Sequence, residues 1–313
     1  MTPTVRAHLA LLLAMAIWGS SFIALKVAVG ALHPMQVIFL RMLIGSMAFL
    51  LILPLWRGGL RYQKGDWKWL LGMAAFEPCL YFIFEAMALQ YTTASQAGMI
   101  TSMLPLMVAA GAWFFLREQI SRYQWGGFLI AVAGVFWMSW NSDVSESAPN
   151  PALGNFLEFM AMASAVGYTL LVKKLTSGYR PLFLTALQTF IGAAFFFPLA
   201  MSQPWPETIA WSLWGTLFYL GIIVTLGAYG LYNYALSQIS ATTTAGYTNL
   251  LPVFTLFFAM ILLQETMNLQ QWLAIGLVFA GVLISQRRLP TLPLVVASEV
   301  AAEIAPKGPA QPQ

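Results

Sequence analysis

The ionisable side chains that interrupt long apolar runs are where this chain could do chemistry. Glu77 and Glu85 lie in one such run, and Lys26, Arg41 and Glu158 lie in three others. A charge in an apolar environment is costly, so it usually marks a functional site or a structural ion pair. Glu85 could pair with Arg41 or Lys26, Glu158 could face Lys26, and Lys26 could instead reach towards polar surroundings. Instead of a structural ion pair, Glu85 and Arg41 could form a gate or bind the charged ends of a small molecule.

Glu77 is the sharpest case, because the sequence offers it no base at a similar depth. Desolvation favours the neutral form of a lone buried carboxyl, so Glu77 could bind a proton and couple it to the movement of a solute. It could also be a neutral carboxyl that is hydrogen-bonded and packed against neighbouring helices. Glu77, Tyr81 and Glu85 are predicted to share one helix face, because residues four apart on a helix are neighbours.

Other polar and aromatic side chains within the apolar runs could line a mildly polar cavity suited to an amino acid or a similar small amphiphile. The candidates are Trp18, Ser21, Thr101, Ser102, Tyr168, Tyr229, Tyr232, Asn233, Thr248 and Asn249. Pro105 and Pro252 belong with them, because a proline inside a span frees a backbone carbonyl and bends the helix. The bends could instead serve packing alone, and Trp and Tyr are also common as interface anchors.

The composition excludes an ordinary water-soluble domain. The chain has 313 residues, of which 59% are hydrophobic and 8% are charged. Soluble proteins average about 25% charged residues, whereas a protein surrounded by lipid can have an apolar surface. The net charge of +4 does not indicate nucleic-acid binding, because the basic residues lie between apolar runs rather than in one patch.

Motifs for enzymatic, metal or nucleotide chemistry are absent from the sequence. The single cysteine, Cys79, excludes a disulfide within the chain, and His8 and His33 are far apart. No cluster of His, Cys and Asp has the spacing of metal ligands, and there is no P-loop motif. We therefore expect no metal, no cofactor and no catalytic residues. A membrane-embedded enzyme, such as a lipid-modifying transferase, would need His, Asp or a nucleophile clustered at one interface.

Ten apolar runs are each near the roughly 20 residues needed to cross about 30 Å of hydrocarbon. They lie at 7–29, 34–56, 69–90, 94–115, 122–140, 154–174, 181–201, 210–236, 241–263 and 268–286.

The positive charges predict the orientation of these spans. With the N-terminus in the cytoplasm, thirteen of the fifteen Lys and Arg residues fall on the cytoplasmic side and none in the outer loops, while Lys26 and Arg41 lie within spans. This asymmetry predicts cytoplasmic termini and a multi-pass protein of the plasma membrane (the inner membrane in bacteria). The tail at 287–313 is predicted to be disordered.

The chain repeats itself without gaps at a constant offset of 147 residues. The matched pairs include Lys26 and Lys173, Pro34 and Pro181, Trp67 and Trp214, Thr101 and Thr248, and Pro105 and Pro252. Each copy holds five predicted spans, and because five is odd the second copy must enter the membrane from the opposite side. The sequence thus predicts an all-α membrane protein of ten transmembrane helices, built as two inverted-topology five-helix repeats. The first repeat covers 1–140, an outer linker 141–153 and the second repeat 154–286.

The two copies share packing motifs but not their acids. Ser121-x-x-Gln124 and Asn268-x-x-Gln271 are both predicted capping boxes at the start of a span. Small residues that permit close helix packing lie at Gly127, Gly134, Gly276 and Gly281. At the same offset, however, Glu77 meets Val224 and Glu85 meets Tyr232. The helices of the two repeats are predicted to be related by symmetry, whereas the acidic side chains occur in the first repeat alone at these positions.

These repeated motifs resemble EamA-type transporters of the drug/metabolite transporter superfamily. The resemblance covers about 5–286 and rests on Trp18-Gly19-Ser20-Ser21-Phe22, on Ala88-Leu89 at the end of the third span, and on the proline of the fourth. Leu-x-Glu after that proline, then Gln-Trp and Gly-Val in the fifth span, complete the pattern in both copies. The resemblance implies ten helices, cytoplasmic termini and a central cavity lined by spans one, three, four, six, eight and nine. It also implies export of amino acids or related metabolites in many members.

The function predicted on these grounds is a secondary transporter that exports amino acids or related small metabolites by alternating access. Its expected partners are a small-molecule substrate and the lipid bilayer, with protons as a candidate coupling ion. The main alternative is an uncoupled facilitator or channel-like permease for a small metabolite, and a membrane-embedded enzyme is a weaker one.

Overall fold

The structure, a computed structural model, describes residues 3–56, 64–116, 121–239 and 241–285, and within these ranges its regular structure is helical, with no strand. The helices are α1 (Pro3–Ala31), α2 (Pro34–Leu51), α3a (Trp67–Ala74), α3b (Tyr81–Tyr91), α4a (Ala94–Ile100), α4b (Leu104–Leu116), α5 (Arg122–Trp140), α6 (Pro151–Leu175), α7 (Pro181–Met201), α8a (Trp211–Phe218), α8b (Tyr229–Gln238), α9a (Ala241–Tyr247), α9b (Leu251–Leu262) and α10 (Leu269–Ser285). A single helical turn, Leu53–Trp56, follows α2. The predicted disordered tail at 287–313 lies outside the described residues. So do six of the thirteen cations counted on the cytoplasmic side, which are Arg57, Arg61, Arg117, Arg287, Arg288 and Lys307.

Among the described residues, seven helical stretches are long and apolar enough to cross a membrane. They are Pro3–Ala31, Pro34–Leu51, Trp67–Tyr91, Pro151–Leu175, Pro181–Met201, Trp211–Gln238 and Thr243–Leu262. Two shorter apolar helical segments, Trp125–Trp140 and Leu269–Gly281, accompany them. Long apolar helices are the expected solution in lipid, because a helix satisfies its own backbone hydrogen bonds.

The third apolar run is interrupted in its middle. A π-helical segment, Ala75–Leu80, joins α3a to α3b, and Glu77 within it has extended backbone angles of φ −149° and ψ 120°. The following residue is Pro78, and the peptide bond between the two is cis. Proline lacks an N–H and crowds the preceding turn, so a regular helix cannot continue through it. The continuous helix predicted through Glu77, Tyr81 and Glu85 is therefore wrong, although Tyr81 and Glu85 remain one turn apart in α3b.

The breaks in the helices follow the sequence repeat. A 3₁₀ turn at Thr101–Met103 separates α4a from α4b, and a second at Thr248–Leu250 separates α9a from α9b, at an offset of 147 residues. A π-helical segment in the eighth run, Tyr219–Ala228, covers the equivalent of Ala75–Leu80. The predicted bends at Pro105 and Pro252 occur at the two 3₁₀ turns, and each proline is the second residue of the helix that follows. The missing N–H of proline is harmless there, because the N–H groups of a first turn have no intrahelical partner.

Helix ends also show the expected capping. Asn268 and Gln271 form the predicted capping box, with the Asn268 N–H donating to Gln271 Oε1 at 3.0 Å and the Gln271 N–H donating to Asn268 Oδ1 at 2.9 Å. The side chain of Gln124 lies outside what the structure describes, so the box at Ser121 stays a prediction. A capping box that the sequence analysis missed starts α2, where His33 and Gln36 reciprocate.

Helices α5 and α10 pack closely through matched glycines. A Cβ added at Gly281 would lie 2.5 Å from the carbonyl oxygen of Gly127, and one added at Gly134 would lie 3.0 Å from that of Ala274. Gly127 and Ala274 are themselves related by the repeat offset, so each helix presents the same surface to the other. Gly276 differs from the prediction, because a Cβ there would meet nothing within 4 Å.

This packing gives a matched pair of substitutions. Gly281→Ala should lower the free energy of unfolding by about 1–3 kcal/mol, because its methyl group would collide with backbone that cannot move aside. Gly276→Ala on the same helix should be neutral or stabilise by about 0.4–1 kcal/mol, since it meets open space and restricts the unfolded chain. Unfolding of the purified variants in mixed micelles measures both. Equal stability of the two variants would contradict the close contact between α5 and α10.

Candidate functional site

A cavity of about 50 Å³ lies between the helices, with walls from both repeats. Its lining consists of Trp18, Ser21, Phe22, Arg41, Glu77, Tyr81, Glu85, Thr101, Leu104, Met162, Ala165, Tyr168, Thr169, Tyr229, Tyr232, Thr248 and Leu251. The space would hold a few water molecules. It is well below the roughly 300–1,000 Å³ of ordinary ligand pockets.

The wall is built largely from equivalent positions of the two repeats. Pairs at the 147-residue offset are Trp18 and Ala165, Ser21 and Tyr168, Phe22 and Thr169, Glu85 and Tyr232, Thr101 and Thr248, and Leu104 and Leu251. The positions correspond, but the side chains mostly do not. The charged groups of the wall, Arg41, Glu77 and Glu85, all come from the first repeat.

Arg41 and Glu85 form a buried ion pair at this cavity. Arg41 Nη1 lies 3.9 Å from Glu85 Oε2, and the two side chains are 3% and 6% exposed. The Arg41 Nε–H donates to Thr225 Oγ1 at 2.9 Å, and its guanidinium carbon lies 4.3 Å from the centre of the Phe82 ring. The hydroxyl of Tyr81 donates to Glu85 Oε1 at 2.8 Å. Each charge therefore has a charged partner and a neutral one, as burial of an ion pair requires.

Glu77 reaches the cavity from the break between α3a and α3b. It is 3% exposed, and its carboxyl faces the hydroxyl of Tyr229, from the second repeat. Non-helical backbone at membrane depth is tolerated only where protein buries it or where it borders a cavity. Arg41 and Glu85 are the charged groups that act on Glu77, so the three form one electrostatic unit.

Aromatic rings make up much of the remaining wall. The Trp18 ring centre lies 4.9 Å from that of Tyr229 and 4.9 Å from that of Tyr232. The Tyr168 hydroxyl lies 2.9 Å from Gln188 Oε1 and 3.0 Å from Asn233 Oδ1, and can donate to one of them at a time. Rings packed at these distances and held by hydrogen bonds give the cavity rigid aromatic faces.

Several predicted site residues lie behind the wall rather than on it. The Ser102 hydroxyl donates to the carbonyl oxygen of Met99, in α4a, at 2.7 Å. Asn233 supports Tyr168 and donates to Thr185 Oγ1 at 2.9 Å. Asn249 is half-buried, with no partner for its Oδ1 among the described residues. Pro105 and Pro252 begin helices and do not line the cavity.

Lys26 caps a helix instead of pairing with an acid. Its ammonium donates to Leu89 O at 2.6 Å and to Thr92 O at 2.7 Å, at the end of α3b, and to Ser147 O at 2.5 Å. These three bonds use all its protons, so the predicted alternatives of a pair with Glu85 or a contact with Glu158 are wrong. Glu158 is completely buried off the cavity wall, and neither of its carboxyl oxygens has a hydrogen-bond partner among the described residues.

Lys173 repeats this cap at the offset of 147 residues. Its ammonium donates to Leu236 O at 2.7 Å and to Ile239 O at 2.7 Å, at the end of α8b. Leu236 and Ile239 are the equivalents of Leu89 and Thr92. A cation at a helix C-terminus satisfies orphan carbonyls and complements the helix dipole. The match explains why Lys26 and Lys173 are both present in the repeat.

Loss of either cap should destabilise the fold by a similar amount. We expect Lys26→Met and Lys173→Met each to lower the free energy of unfolding by about 1–3 kcal/mol, because buried carbonyls lose charged donors. Lys64→Met, at an exposed position, serves as the control and should change it by less than about 0.5 kcal/mol. Thermal unfolding of the purified variants in detergent is the measurement. Wild-type stability of either cap variant would show that its carbonyls do not depend on the ammonium.

Residues that the sequence analysis missed complete the site. Phe22, Leu104, Met162, Ala165, Thr169 and Leu251 line the cavity. Their apolar or small side chains carried no chemical signal, but the repeat could have found Leu104 and Leu251, which precede the matched prolines. Among the described residues, no group of three or more His, Cys, Asp or Glu side chains could hold a metal ion.

Comparisons with known proteins agree with this architecture. The model of the EamA-like transporter family matches residues 5–140 and 152–286, one match for each repeat. An uncharacterized transporter of Archaeoglobus fulgidus is 30% identical over 268 residues, covering 83% of this chain and 90% of the relative. The uncharacterized transporter YetK of Bacillus subtilis is 27% identical over 292 residues, covering 89% of this chain and 86% of the relative. A protein crystal structure shares the fold with a TM-score of 0.65 at 18% identity, covering 94% of this chain and 98% of that one.

The family match spans both repeats and nearly all of the helical chain. The apolar helices, the two repeats and the small cavity between them are consistent with it. The chain belongs to the EamA-like transporter family, and it is therefore a multi-pass membrane transporter of small molecules.

Proposed function

We propose that this transporter exports amino acids or related small metabolites across the plasma membrane by alternating access. In this proposal the chain crosses the membrane ten times, as two inverted five-helix halves with both termini in the cytoplasm. The halves cover 1–140 and 154–286, joined by an outer linker at 141–153.

The observation that carries the choice of substrate is the presence of both charge signs at one aromatic cavity. Arg41 offers guanidinium donors for a carboxylate, and such pairs are among the stronger charge-assisted hydrogen bonds. Glu77 and Glu85 offer acceptors for an ammonium group, and the faces of Trp18 and Tyr229 also attract a cation. A zwitterionic amino acid carries the charges that complement this wall.

Alternating access is supported by the matched breaks in the helices. The 3₁₀ turns at Thr101–Met103 and Thr248–Leu250 border the cavity from equivalent positions. Two halves whose helices break at equivalent positions can exchange conformations, and inverted-repeat carriers alternate access in this way. A cavity of about 50 Å³ would then belong to a closed conformation, and movement at these joints would widen it to admit the substrate.

Protons are the proposed coupling ion, and Glu77 their proposed carrier. Its carboxyl sits at the helix break, within the electrostatic unit that would also bind the substrate. The sequence has no P-loop, so ATP is not the proposed energy source. Uncoupled facilitation is the second candidate, because a polar neighbour such as the Tyr229 hydroxyl would also suit a Glu77 carboxyl that stays neutral throughout transport.

The test is solute flux in proteoliposomes with and without a pH gradient. A panel of radiolabelled amino acids is loaded in turn, and liposomes without protein provide the background. The proposal expects saturable flux of at least one amino acid. This flux should be faster when a pH gradient drives protons in the direction opposite to the amino acid. Flux that ignores the gradient would favour the facilitator, and single-channel conductance would favour a channel. No flux of any amino acid would contradict the proposed substrate class.

A further inference from the structure

Glu158 is a buried acid that the cavity wall does not use. Its side chain in α6 is completely buried, and both carboxyl oxygens lack a hydrogen-bond partner among the described residues. Buried polar groups are normally hydrogen-bonded, because burial without a partner costs free energy. An ionised carboxylate in this position would also need a counter-charge. A proton on the carboxyl removes the second cost.

The neighbours of Glu158 are defined by a close approach of α6 to α3b. A Cβ at Gly154 would lie 2.9 Å from the Ala88 carbonyl oxygen, so the two backbones nearly touch. One turn further along each helix are Glu158 and Glu85, and the two acids interact electrostatically. Tyr81, also in α3b, is the other ionisable side chain on which Glu158 acts among the described residues.

Charge around the two acids is not balanced. The guanidinium of Arg41, from α2, lies beside Glu85, 3.9 Å from Nη1 to Oε2. Lys26 in α1 is occupied by backbone carbonyls. Among the described residues, no cation lies within 4.0 Å of the Glu158 carboxyl, whereas Glu85 has Arg41 as its partner. Two carboxylates in a low-dielectric interior repel each other strongly, so a proton on Glu158 relieves the repulsion from Glu85.

Glu158 also lies on a line between two polar regions. Asn155, Glu158, Met162, Ala165 and Thr169 follow a three-and-four spacing, which places them on one face of α6. The last three line the cavity. Asn155, at the other end, donates to Gln96 Oε1 and to Ser139 Oγ, both at 2.9 Å. This network continues to the half-buried Ser142, which lies in the loop at 141–150.

We propose that Glu158 is a proton-exchange site, which takes up and releases a proton between the polar network at Asn155 and the Glu85–Arg41 pair at the cavity. In this closed conformation the carboxyl holds its proton. When the helices around the loop end of α6 separate, water reaches it and the proton exchanges. The evidence for proton exchange at Glu158 is the geometry around it. A role of this exchange in driving transport rests on the proposed function.

The chain provides its own apolar replacement for this residue. Leu11 is the equivalent of Glu158 in the first repeat, and it is completely buried as well. The fold therefore accepts a leucine at this structural position. An acid that served packing alone would gain nothing over leucine.

Infrared difference spectroscopy of the full-length protein in nanodiscs tests the site without a substrate. The pH is varied, and the carbonyl-stretch absorbance of protonated carboxyl groups is followed for wild type, Glu158→Gln and Glu158→Leu, with Glu77→Gln as a comparator. We expect one pH-dependent component to disappear in both Glu158 variants and to persist in Glu77→Gln. Size-exclusion profiles and thermal unfolding confirm that the variants are folded, and the neutral replacements should be at least as stable as wild type.

Two results would overturn the proposal. In one, the pH-dependent spectra of wild type and folded Glu158→Gln superimpose. In the other, a Glu158 component is present in wild type but does not change with pH, as expected for a carboxyl that is merely structural. Failure of the proposed function looks different, since absence of amino-acid flux would leave the infrared result unchanged. Where proton-driven flux exists, Glu158→Gln should reduce it while leaving exchange of labelled for unlabelled solute intact.

Discussion

Replacing Arg41 with methionine should lower the free energy of unfolding by about 3–5 kcal/mol, the usual cost of stranding one member of a buried ion pair. Methionine keeps much of the length and apolar contact of arginine over Phe82. It removes the donor to Thr225 and the cation beside Glu85, whose carboxylate would then be buried without a counter-charge. The loss should shrink as the pH falls, because protonation neutralises the stranded carboxyl.

The double variant Arg41→Met/Glu85→Gln is the control for this prediction. It should recover most of the lost stability, because a neutral amide can still accept the hydroxyl of Tyr81 and needs no cation. Unfolding in mixed micelles, followed across pH, measures all the variants. A double variant as unstable as Arg41→Met would show that the loss comes from packing. If the double variant is stable but transports nothing, the pair belongs to the binding site as well as to the fold.

The second large effect is expected at Glu77. Glu77→Gln should reduce proton-driven flux at least about tenfold, equivalent to about 1.4 kcal/mol, because glutamine has nearly the shape of glutamic acid but cannot exchange a proton. Exchange of labelled for unlabelled solute without a gradient should persist, since it needs no net proton movement. The matched readouts are therefore gradient-driven uptake and exchange in the same proteoliposomes.

Glu77→Val provides a packing control, because Val224 fills the equivalent position in the second repeat and is completely buried. If Glu77→Gln retains full proton-coupled flux, Glu77 is a structural carboxyl. If both variants lose exchange together with coupling, the residue binds the substrate and its role in proton transfer is not separate.

The positions of the helices and their repeat could be predicted because the bilayer restricts the sequences that can cross it. The predicted span at 122–140 coincides with α5 at Arg122–Trp140. A helix in lipid must be apolar and about 20 residues long, so hydropathy alone locates it. The offset of 147 residues likewise predicted equivalent elements, which appear as paired 3₁₀ turns and paired lysine caps.

Local breaks and contacts between helices were harder to predict. The continuous helix predicted through Glu77 is wrong because Pro78 interrupts it, and this proline is a signal that the sequence contains. The cap by Lys26 could not be anticipated from depth alone, since backbone carbonyls compete with acids for an ammonium group and leave no trace in a sequence. Glu265 belongs to the repeated Leu-x-Glu motif, but no role as a helix cap was predicted for it. Its carboxylate accepts the N–H groups of Ala94 and Ser95, both at 3.0 Å.

The site was predicted by residue type better than by position. Most predicted polar residues line the cavity, but Ser102, Asn233 and Asn249 lie behind it. On a helix, adjacent residues point in directions about 100° apart, so a polar residue next to a lining one faces elsewhere. Packing between helices decides which face is turned inward, and that choice depends on tertiary contacts such as Arg41 with Thr225 and Phe82.

Solute counterflow in proteoliposomes tests alternating access most directly. Vesicles containing the protein are loaded with an unlabelled amino acid found to be transported, then diluted into a trace of the same labelled compound. A carrier that exposes one cavity to each side in turn predicts transient accumulation of label above its equilibrium level, abolished in Arg41→Met/Glu85→Gln. Label that rises monotonically to equilibrium, with no overshoot, would contradict alternating access and indicate a channel-like pathway.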